Sequence, residues 1–363
     1  MRVAIVTESF LPQVNGVTNS VLRVCEQLGR HGHEAIVIAP GRGPTEWQGV
    51  PVIRTPSMPL PGYKDFRIAR PYPGMMSTLR AFDPDVVHLA SPTVLGAQGA
   101  LAAHRLGIPS VAIYQTDLAG FASRYRMGLA EDALWSWLRK IHGSAARTLA
   151  PSRHAVDQLQ SNGVERVARW ARGVDLRRFH PVHRDPDLAQ LLNPHGDLLV
   201  GYVGRLAHEK EVGLLQDVHD LPGVKLVVVG DGPQRKQLTK QLPRAQFLGF
   251  QGGRELATTF ASLDVFVHTG SHETFCQAAQ EALASGLPVI APAAGGLLDL
   301  VQDGHNGLRF QPGSSADLAR CVQQLQGDEW ARRHLGAHAR RSVEGRSWDV
   351  IGNELMQHYE EVA

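Results

Sequence analysis

The densest chemistry in this chain lies in residues 270–290, which read Gly-Ser-His-Glu-Thr-Phe-Cys-Gln-Ala-Ala-Gln-Glu-Ala-Leu-Ala-Ser-Gly-Leu-Pro-Val-Ile. An apolar run, Val265–His268, leads into a Gly-Ser loop, and the spacing predicts a helix beginning near Thr274. A helix start there leaves open amides at the positive end of its dipole, a setting for a pyrophosphate. Glu273 precedes the helix, and Glu281 lies ~10 Å along it at about 1.5 Å per residue. Two carboxylates so separated can hold hydroxyls at the two ends of an extended ligand, a sugar at one and a ribose at the other. Gly286 stops the helix and Pro288 opens the next strand. An arbitrary pair of glutamates around a helix start is usually just solvated, so the company this pair keeps decides its reading.

That company begins at Gly204-Arg205-Leu206-Ala207-His208-Glu209-Lys210, directly after the apolar run Leu198–Val203. Ligands of open α/β sheets bind at strand carboxyl ends. Arg205 and Lys210 offer two positive charges to a diphosphate, neutralising charge that builds on a leaving nucleotide. Val229-Gly230-Asp231-Gly232-Pro233 is a second glycine turn at a strand end, weak by itself. Near the amino end, Thr7–Asn19 reads as a long loop between the first strand and the first helix. Gly16, with the amide of Val17, is placed there to approach donor phosphates from the opposite wall, and Asn15 or Asn19 to cap the helix. The G-x-G-x-x-G spacing of a dinucleotide cofactor site is missing. Tyr114-Gln115-Thr116-Asp117, followed by Phe121, Arg124 and Tyr125, ends a central strand. Gln115 and Asp117 there are candidates to meet an acceptor or the transferred sugar.

Holding such groups at strand ends requires parallel sheets covered on both faces, and short apolar runs alternate with helical stretches throughout. In the first half the expected strands are Val3–Thr7, Ala35–Ala39, Val50–Arg54, Val86–Leu89, Ser110–Tyr114 and Thr148–Ala150. In the second they are Leu198–Val203, Lys225–Val229, Ala245–Leu248, Val265–His268 and Pro288–Ile290. A helix over Asn19–Gly29 stops at Gly32. The boundary is expected at Arg172-Gly173-Val174-Asp175. Residues Ser347–Tyr359 form an amphipathic helix with Trp348, Ile351, Leu355 and Tyr359 on one stripe.

A length of 363 residues suits two α/β domains, and 43% hydrophobic with 20% charged residues is a soluble globular composition. No apolar run approaches the ~20 residues that span a bilayer. The start, Met1-Arg-Val-Ala-Ile-Val-Thr, reads as a strand rather than a signal peptide, so a cytoplasmic location is expected. Cys25, Cys276 and Cys321 show no paired spacing and read as small buried hydrophobes. A net charge of +2 argues against nucleic acid as a partner. The charge is nonetheless uneven. Residues 1–172 carry 19 Lys and Arg against 12 Asp and Glu, and residues 173–363 carry 18 against 23. A basic first half suits an anionic surface or acceptor.

Together these residues resemble glycosyltransferase family four, of the GT-B fold, over nearly the whole chain. Within the family, Tyr114-Gln-Thr-Asp and Gly120-Phe-Ala-Ser-Arg-Tyr are similar to bacterial mannosyltransferases that use GDP-mannose and act on lipids; sulfoquinovosyl-lipid synthases look related too. The resemblance implies two Rossmann-like, doubly wound parallel-sheet domains facing across a cleft. An acceptor domain would span 1–172 plus 347–363, the closing helix returning to it, and a donor domain 173–346. It also implies that Gly204, Arg205 and Lys210 bind the diphosphate, Glu281 the ribose and Glu273 the sugar hydroxyls. The backbone of Thr274, Phe275, Gly16 and Val17 would complete the phosphate cradle, and the base would be read near Gly249-Phe250-Gln251. The reaction implied is retaining and front-face: the leaving phosphate takes the acceptor proton, with no metal and no cofactor. Asp83-Pro-Asp85 has a metal-site spacing but reads as a turn. Many members carry a histidine where this chain has Gln115, which can hydrogen-bond a hydroxyl but cannot carry charge.

Residues 63–82, with Tyr63, Phe66, Tyr72 and Met76 among Lys64, Arg67, Arg70 and Arg80, and residues 133–147, with Trp135 and Trp137 beside Arg139 and Lys140, suit a peripheral grip on anionic lipid at the inner membrane face. Helices packed on their own sheet would look similar. The rival readings are a UDP-sugar (glucosyl or sulfoquinovosyl) transferase, transfer to a soluble glycan, a GT-B phosphorylase or epimerase, and a non-catalytic nucleotide-binding module.

Overall fold

A computed structural model describes residues 1–13, 15–60, 63–91, 93–115 and 128–363, with side chains left out for 59–60, 63–68 and 128–131. The chain forms two compact units, Met1–Arg172 with Trp348–Ala363, and Gly173–Ser347. Ser347, expected to open the closing helix, instead pairs with Val174 in the second unit.

In the first unit the described strands are β1 (Arg2–Val6), β2 (Glu34–Pro40), β3 (Glu46–Trp47), β4 (Val50–Thr55), β5 (Ser57–Leu60), β6 (Tyr63–Ala69), β7 (Val86–Leu89), β8 (Ser110–Ile113), β9 (Arg147–Ala150) and β10 (Val167–Arg169). Their main sheet runs β10-β9-β8-β7-β1-β2-β4-β3, parallel except for the β3–β4 pair, while β5 and β6 form a separate antiparallel pair. Alternation along β1 explains the two covered faces. Val3 and Ile5 enter one core cluster, Ala4 and Val6 the other, so all four residues after Arg2 are apolar. Strands β3, β5, β6 and β10 were not expected; β3, β5 and β10 are short, and all four lie at an edge of the main sheet or apart from it.

The first helix spans Gly16–Arg30, starting three residues before the expected Asn19, because the Asn15 side chain caps it by accepting from the amides of Val17 and Thr18. Gly32, at φ +70°, ends the turn as expected. The closing helix, Trp348–Glu360, sinks Ile351, Leu355, Met356 and Tyr359 into the core of this unit. Trp170 donates to the carbonyl of Ile351 at 2.9 Å. The Tyr359 hydroxyl hydrogen-bonds Nδ1 of His88 at 2.6 Å, and burial pushes His88 down to about 3, so the ring is neutral. Asp83 caps a helix in a left-handed turn and Asp85 accepts from the Arg2 amide, the turn that Asp83-Pro-Asp85 suggested.

The second unit carries β11 (Leu198–Val203), β12 (Val224–Val229), β13 (Gln246–Gly249), β14 (Val265–Val267), β15 (Val289–Pro292) and β16 (Gly307–Phe310), in the order β13-β12-β11-β14-β15-β16 and all parallel. Counted within the unit this is 3-2-1-4-5-6, the doubly wound order whose direction reverses between the first and fourth strands. Strand β16 was not expected; its run Gly-Leu-Arg-Phe is short and follows a polar turn.

Candidate active site

Strands β11 and β14 are the neighbours at the reversal point of the second unit, so the loops leaving their carboxyl ends open onto one crevice. The first of these loops carries Gly204–Glu211 and the second Thr269–Cys276. Backbone and side-chain bonds tie them together. Thr269 donates to the Lys210 carbonyl at 2.6 Å, and Ser271 donates twice to the Glu211 carboxylate, at 3.0 and 2.9 Å. The glycine turn after β12, a weak signal in the sequence, braces the first loop: Leu206 donates to Asp231 and Gln234 to Leu206. A Cβ on Gly230 would stand 1.9 Å from the Gly204 carbonyl oxygen, so only glycine permits that approach.

On this frame Lys210 and Glu273 meet, the ammonium 2.5 Å from Oε1 of the carboxylate. His268, on the residue directly after β14, places Nε2 at 2.9 Å from the same oxygen and is itself buried. Its ring stacks on the fully buried Tyr202 of β11, with centroids 6.1 Å apart and planes 10° from parallel. Burial works against every charge here, but the pairing wins. The Lys210 ammonium and then the His268 ring hold Glu273 down to about 2, against burial. Glu273 in turn raises Lys210. His268 is lifted to about 9 against burial by the neighbouring Cys276 sulfur and by Glu273, so the site holds one carboxylate between two cations. Cys276 completes a His268–Glu273–Cys276 group whose ligand atoms lie within 4.8 Å of one another. The Lys210 ammonium already supplies positive charge to the shared carboxylate.

The remaining expected residues are more spread out. Arg205 is half exposed and pairs with Glu209 at 3.7 Å. The helix bearing Glu281 runs Gln277–Ala284, three residues later than expected, with Cys276 extended at its cap. The cause is tertiary: Gly296 donates to the Glu273 carbonyl at 2.7 Å and holds Ser271–Cys276 open against the next loop. Thr274 and Phe275 therefore lie in that loop, not in the helix, and Phe275 is buried. Glu281 sits in the second turn of the helix. Its carboxyl is pushed up to about 8 by burial, with Asp175 adding to the rise and Gln277 and Arg178 opposing it. Phe250, after β13, is exposed.

In the first unit the reversal point lies between β1 and β7. Gly16 opens the first helix instead of lying inside a loop, and the Val17 amide donates to Asn15. The Gln115 amide nitrogen donates to the Ala90 carbonyl at 2.6 Å, and its oxygen accepts from the buried Arg172. Arg172 also donates to the Gly16 carbonyl at 2.9 Å. Burial lowers its guanidinium to about 10. Arg172 thus joins the Gly16 turn to Gln115. Asp117, with Thr116, Phe121, Arg124 and Tyr125, lies outside the described residues.

Three residues that build these sites, His268, Cys276 and Arg172, were not among the expected ones. His268 carried a legible signal, an imidazole at the carboxyl end of an otherwise apolar strand. Arg172 had none, since its partners are 57 and 156 residues away.

Residues 14–178 match Glycosyltransferase Family 4, and residues 183–342 match Glycosyl transferases group 1. A GDP-mannose-dependent alpha-mannosyltransferase of Mycobacterium tuberculosis is 51% identical, over 100% of this chain and 97% of its own length. The sulfoquinovosyl transferase SQD2 of Arabidopsis thaliana is 34% identical over 98% of this chain and 72% of its own length. Among solved structures, Anabaena HepE in complex with UDP superposes with a TM-score of 0.82 at 20% identity, covering 99% of this chain and 100% of that one; at that identity the likeness speaks for the fold.

Proposed function

Because the chain belongs to glycosyltransferase family 4, we propose that it moves mannose from GDP-mannose to a lipid or glycolipid acceptor, with retention at the anomeric carbon. The donor assignment rests on one observation: half of all residues are shared, over the full length, with an enzyme named for that donor. In this reading Arg205 and Lys210 take the diphosphate, Glu273 the sugar hydroxyls and Glu281 the ribose. The amides of Thr274 and Phe275 approach the phosphates, Gly204 allows their close approach, and the backbone at Phe250 meets the base; the Val17 amide, already donating to Asn15, is not available to them. Gln115 and Asp117 face the sugar or acceptor.

The Lys210–Glu273 pair supports this division of labour. When the diphosphate draws on Lys210, the His268 imidazolium remains on Glu273 and keeps it an anionic acceptor for sugar hydroxyls. As the glycosidic bond to phosphate breaks, Arg205 and Lys210 offset charge on the leaving diphosphate, which takes the acceptor proton on the face it leaves. The reading assigns no metal or cofactor to this step.

Among the described residues no helix is long and apolar enough to cross a membrane. The helix Gly128–Ser144 supports a peripheral contact instead. It buries Trp135, Leu138 and Ile141 in its own unit but leaves Trp137, Arg139 and Lys140 exposed. The stretch 63–82 gives less support, since Met75 and Leu79 are buried in the core. Flotation with anionic and neutral vesicles checks the contact: enrichment on anionic vesicles alone is expected, and equal failure on both ends the membrane claim.

A UDP-sugar donor is the second reading, favoured by the 34% identity to a sulfoquinovosyl transferase. A donor panel decides between them. Turnover of GDP-mannose at least about a hundredfold above UDP-glucose and UDP-sulfoquinovose, with an α-anomeric product by NMR, is expected; UDP-sugar preference would reverse the assignment.

A further inference from the structure

At the amino ends of its strands, away from the crevice at its reversal point, the first unit holds a cavity of about 550 Å³. The place follows from chain direction. The first helix leaves the carboxyl end of β1 and finishes just before β2 begins, and β4 starts at that same end of the sheet. Arg23, Glu26 and Arg30, three and four positions apart, turn one helix face to the cavity, and Trp47 and Gln48 line it from the β3–β4 hairpin. Among them lies Gly29, within the helix, where an added Cβ would meet nothing within 4 Å.

We propose that this cavity binds a neutral hexoside, as a second carbohydrate site apart from the reaction centre. An indole offers apolar surface to the C–H face of a pyranose ring, and a carboxylate, guanidinium groups and an amide offer planar acceptors and donors to its hydroxyls. The charges present argue against an anion. Arg23 donates to Glu26 at 2.7 Å, and Arg30 pairs with Asp349 of the closing helix, so two cations already meet two carboxylates. Arg23 also lies over the Trp348 ring, 6.0 Å from its centroid, which helps to hold it at the wall. The volume falls within the range of about 300–1,000 Å³ usual for small-molecule sites.

The hairpin wall is built in advance. Trp47 and Val50 pair across it and pack against the core of the unit, so the indole does not have to be ordered when a sugar arrives. The turn between them is Gln48-Gly49, with φ of +48° and +83°, the positive pair that a two-residue hairpin turn requires. Glycine takes that conformation freely, but Gln48 is strained in it, and such strain is found where a side chain is held for a purpose. The amide of Gln48 is thereby kept at the cavity.

The test uses the full chain labelled with 5-fluorotryptophan and read by ¹⁹F NMR, the Trp47 resonance being identified with Trp47→Phe. Methyl α-D-mannopyranoside, methyl α-D-glucopyranoside and an α-linked mannobiose are titrated, with inorganic phosphate as the anionic comparison. A saturable shift of the Trp47 resonance with at least one of the three sugars is expected, and none with phosphate. Gly29→Leu fills the cavity from the helix and should weaken that sugar at least about tenfold. Leucine is the better helix former, so this variant should melt at or above the parent, which separates lost binding from lost folding. Because the readout is Trp47 itself, it does not depend on which nucleotide sugar the second unit takes. If no sugar moves the resonance, if phosphate alone moves it, or if Gly29→Leu binds as the parent does, the site is not there.

Discussion

Each unit sets a cation beside the strand ends at its reversal point, and the two cations are held in opposite ways. In the second unit Lys210 faces a carboxylate, and His268 adds a further positive charge to it, so all three groups stay ionised although buried or half-buried. In the first unit Arg172 donates to amide oxygens, those of Gly16 and Gln115, and burial lowers its pKa to about 10. One arrangement pairs charge with charge. The other uses a permanent charge to fix two backbone segments and an amide. Gln115 is neutral, and the Arg172 guanidinium against its side-chain oxygen places a positive charge directly behind it.

The contrast breaks most decisively at Glu273. Glu273→Gln leaves Lys210 and His268 facing a neutral amide and should cut transfer about a thousandfold, with kcat falling more than KM rises. A loss below about tenfold would remove Glu273 from the chemistry. Arg172→Met should follow with a loss of about ten- to a hundredfold in kcat/KM, while GDP binding, assigned to the other unit, stays within about twofold. Parental activity in that variant would show that Gln115 and the Gly16 turn hold themselves.

His268 sharpens the comparison through pH. Its pKa is raised from 6.5 to about 9 in the fold, so its stabilisation is complete below about pH 6.5 and lost as pH rises through 9. Glu273 is lowered to about 2 and contributes above about pH 4.5, lost only as pH falls through 2. The His268 contribution to thermal stability should therefore be constant up to about pH 6.5, and its loss should cost several degrees toward pH 9.5. His268→Asn should start lower and lack that fall; a parallel decline in both proteins would deny the imidazolium.

Glu281 gives the smallest effect. With its carboxyl raised to about 8, ionisation opposes folding, so stability is present at low pH and erodes as pH rises through 8. Glu281→Gln should gain on the parent progressively from about pH 4.5 to 8, by a degree or two in melting temperature, and keep that gain at pH 9, with GDP affinity reduced throughout. A cross-over in the other direction would mean the carboxylate is better paired than its surroundings indicate.

How much of this was legible in the residues differs between fold and site. Strands β1, β2, β7, β8, β9, β11, β12, β14 and β15 were readable because both faces of each sheet are covered, which forces largely apolar runs, while β4 and the edge strand β13 carry more mixed ones. The edge strand β16 and the antiparallel β5–β6 pair lack such runs. The Glu281 helix starts three residues later than expected, because a bond from the Gly296 amide occupies the Glu273 carbonyl that a helix from Thr274 would use.

The order of the residues by itself determined the two units, the glutamate spacing and the cationic loop after β11, because each depends on patterns within about twenty positions. Which groups touch was decided by the folded chain: Lys210 and Glu273 are separated by 63 residues, and Arg172 reaches Gly16 across 156. Nothing in local sequence encodes such a meeting. It follows from strand order, which puts β11 beside β14 and so brings their terminal loops within hydrogen-bonding reach.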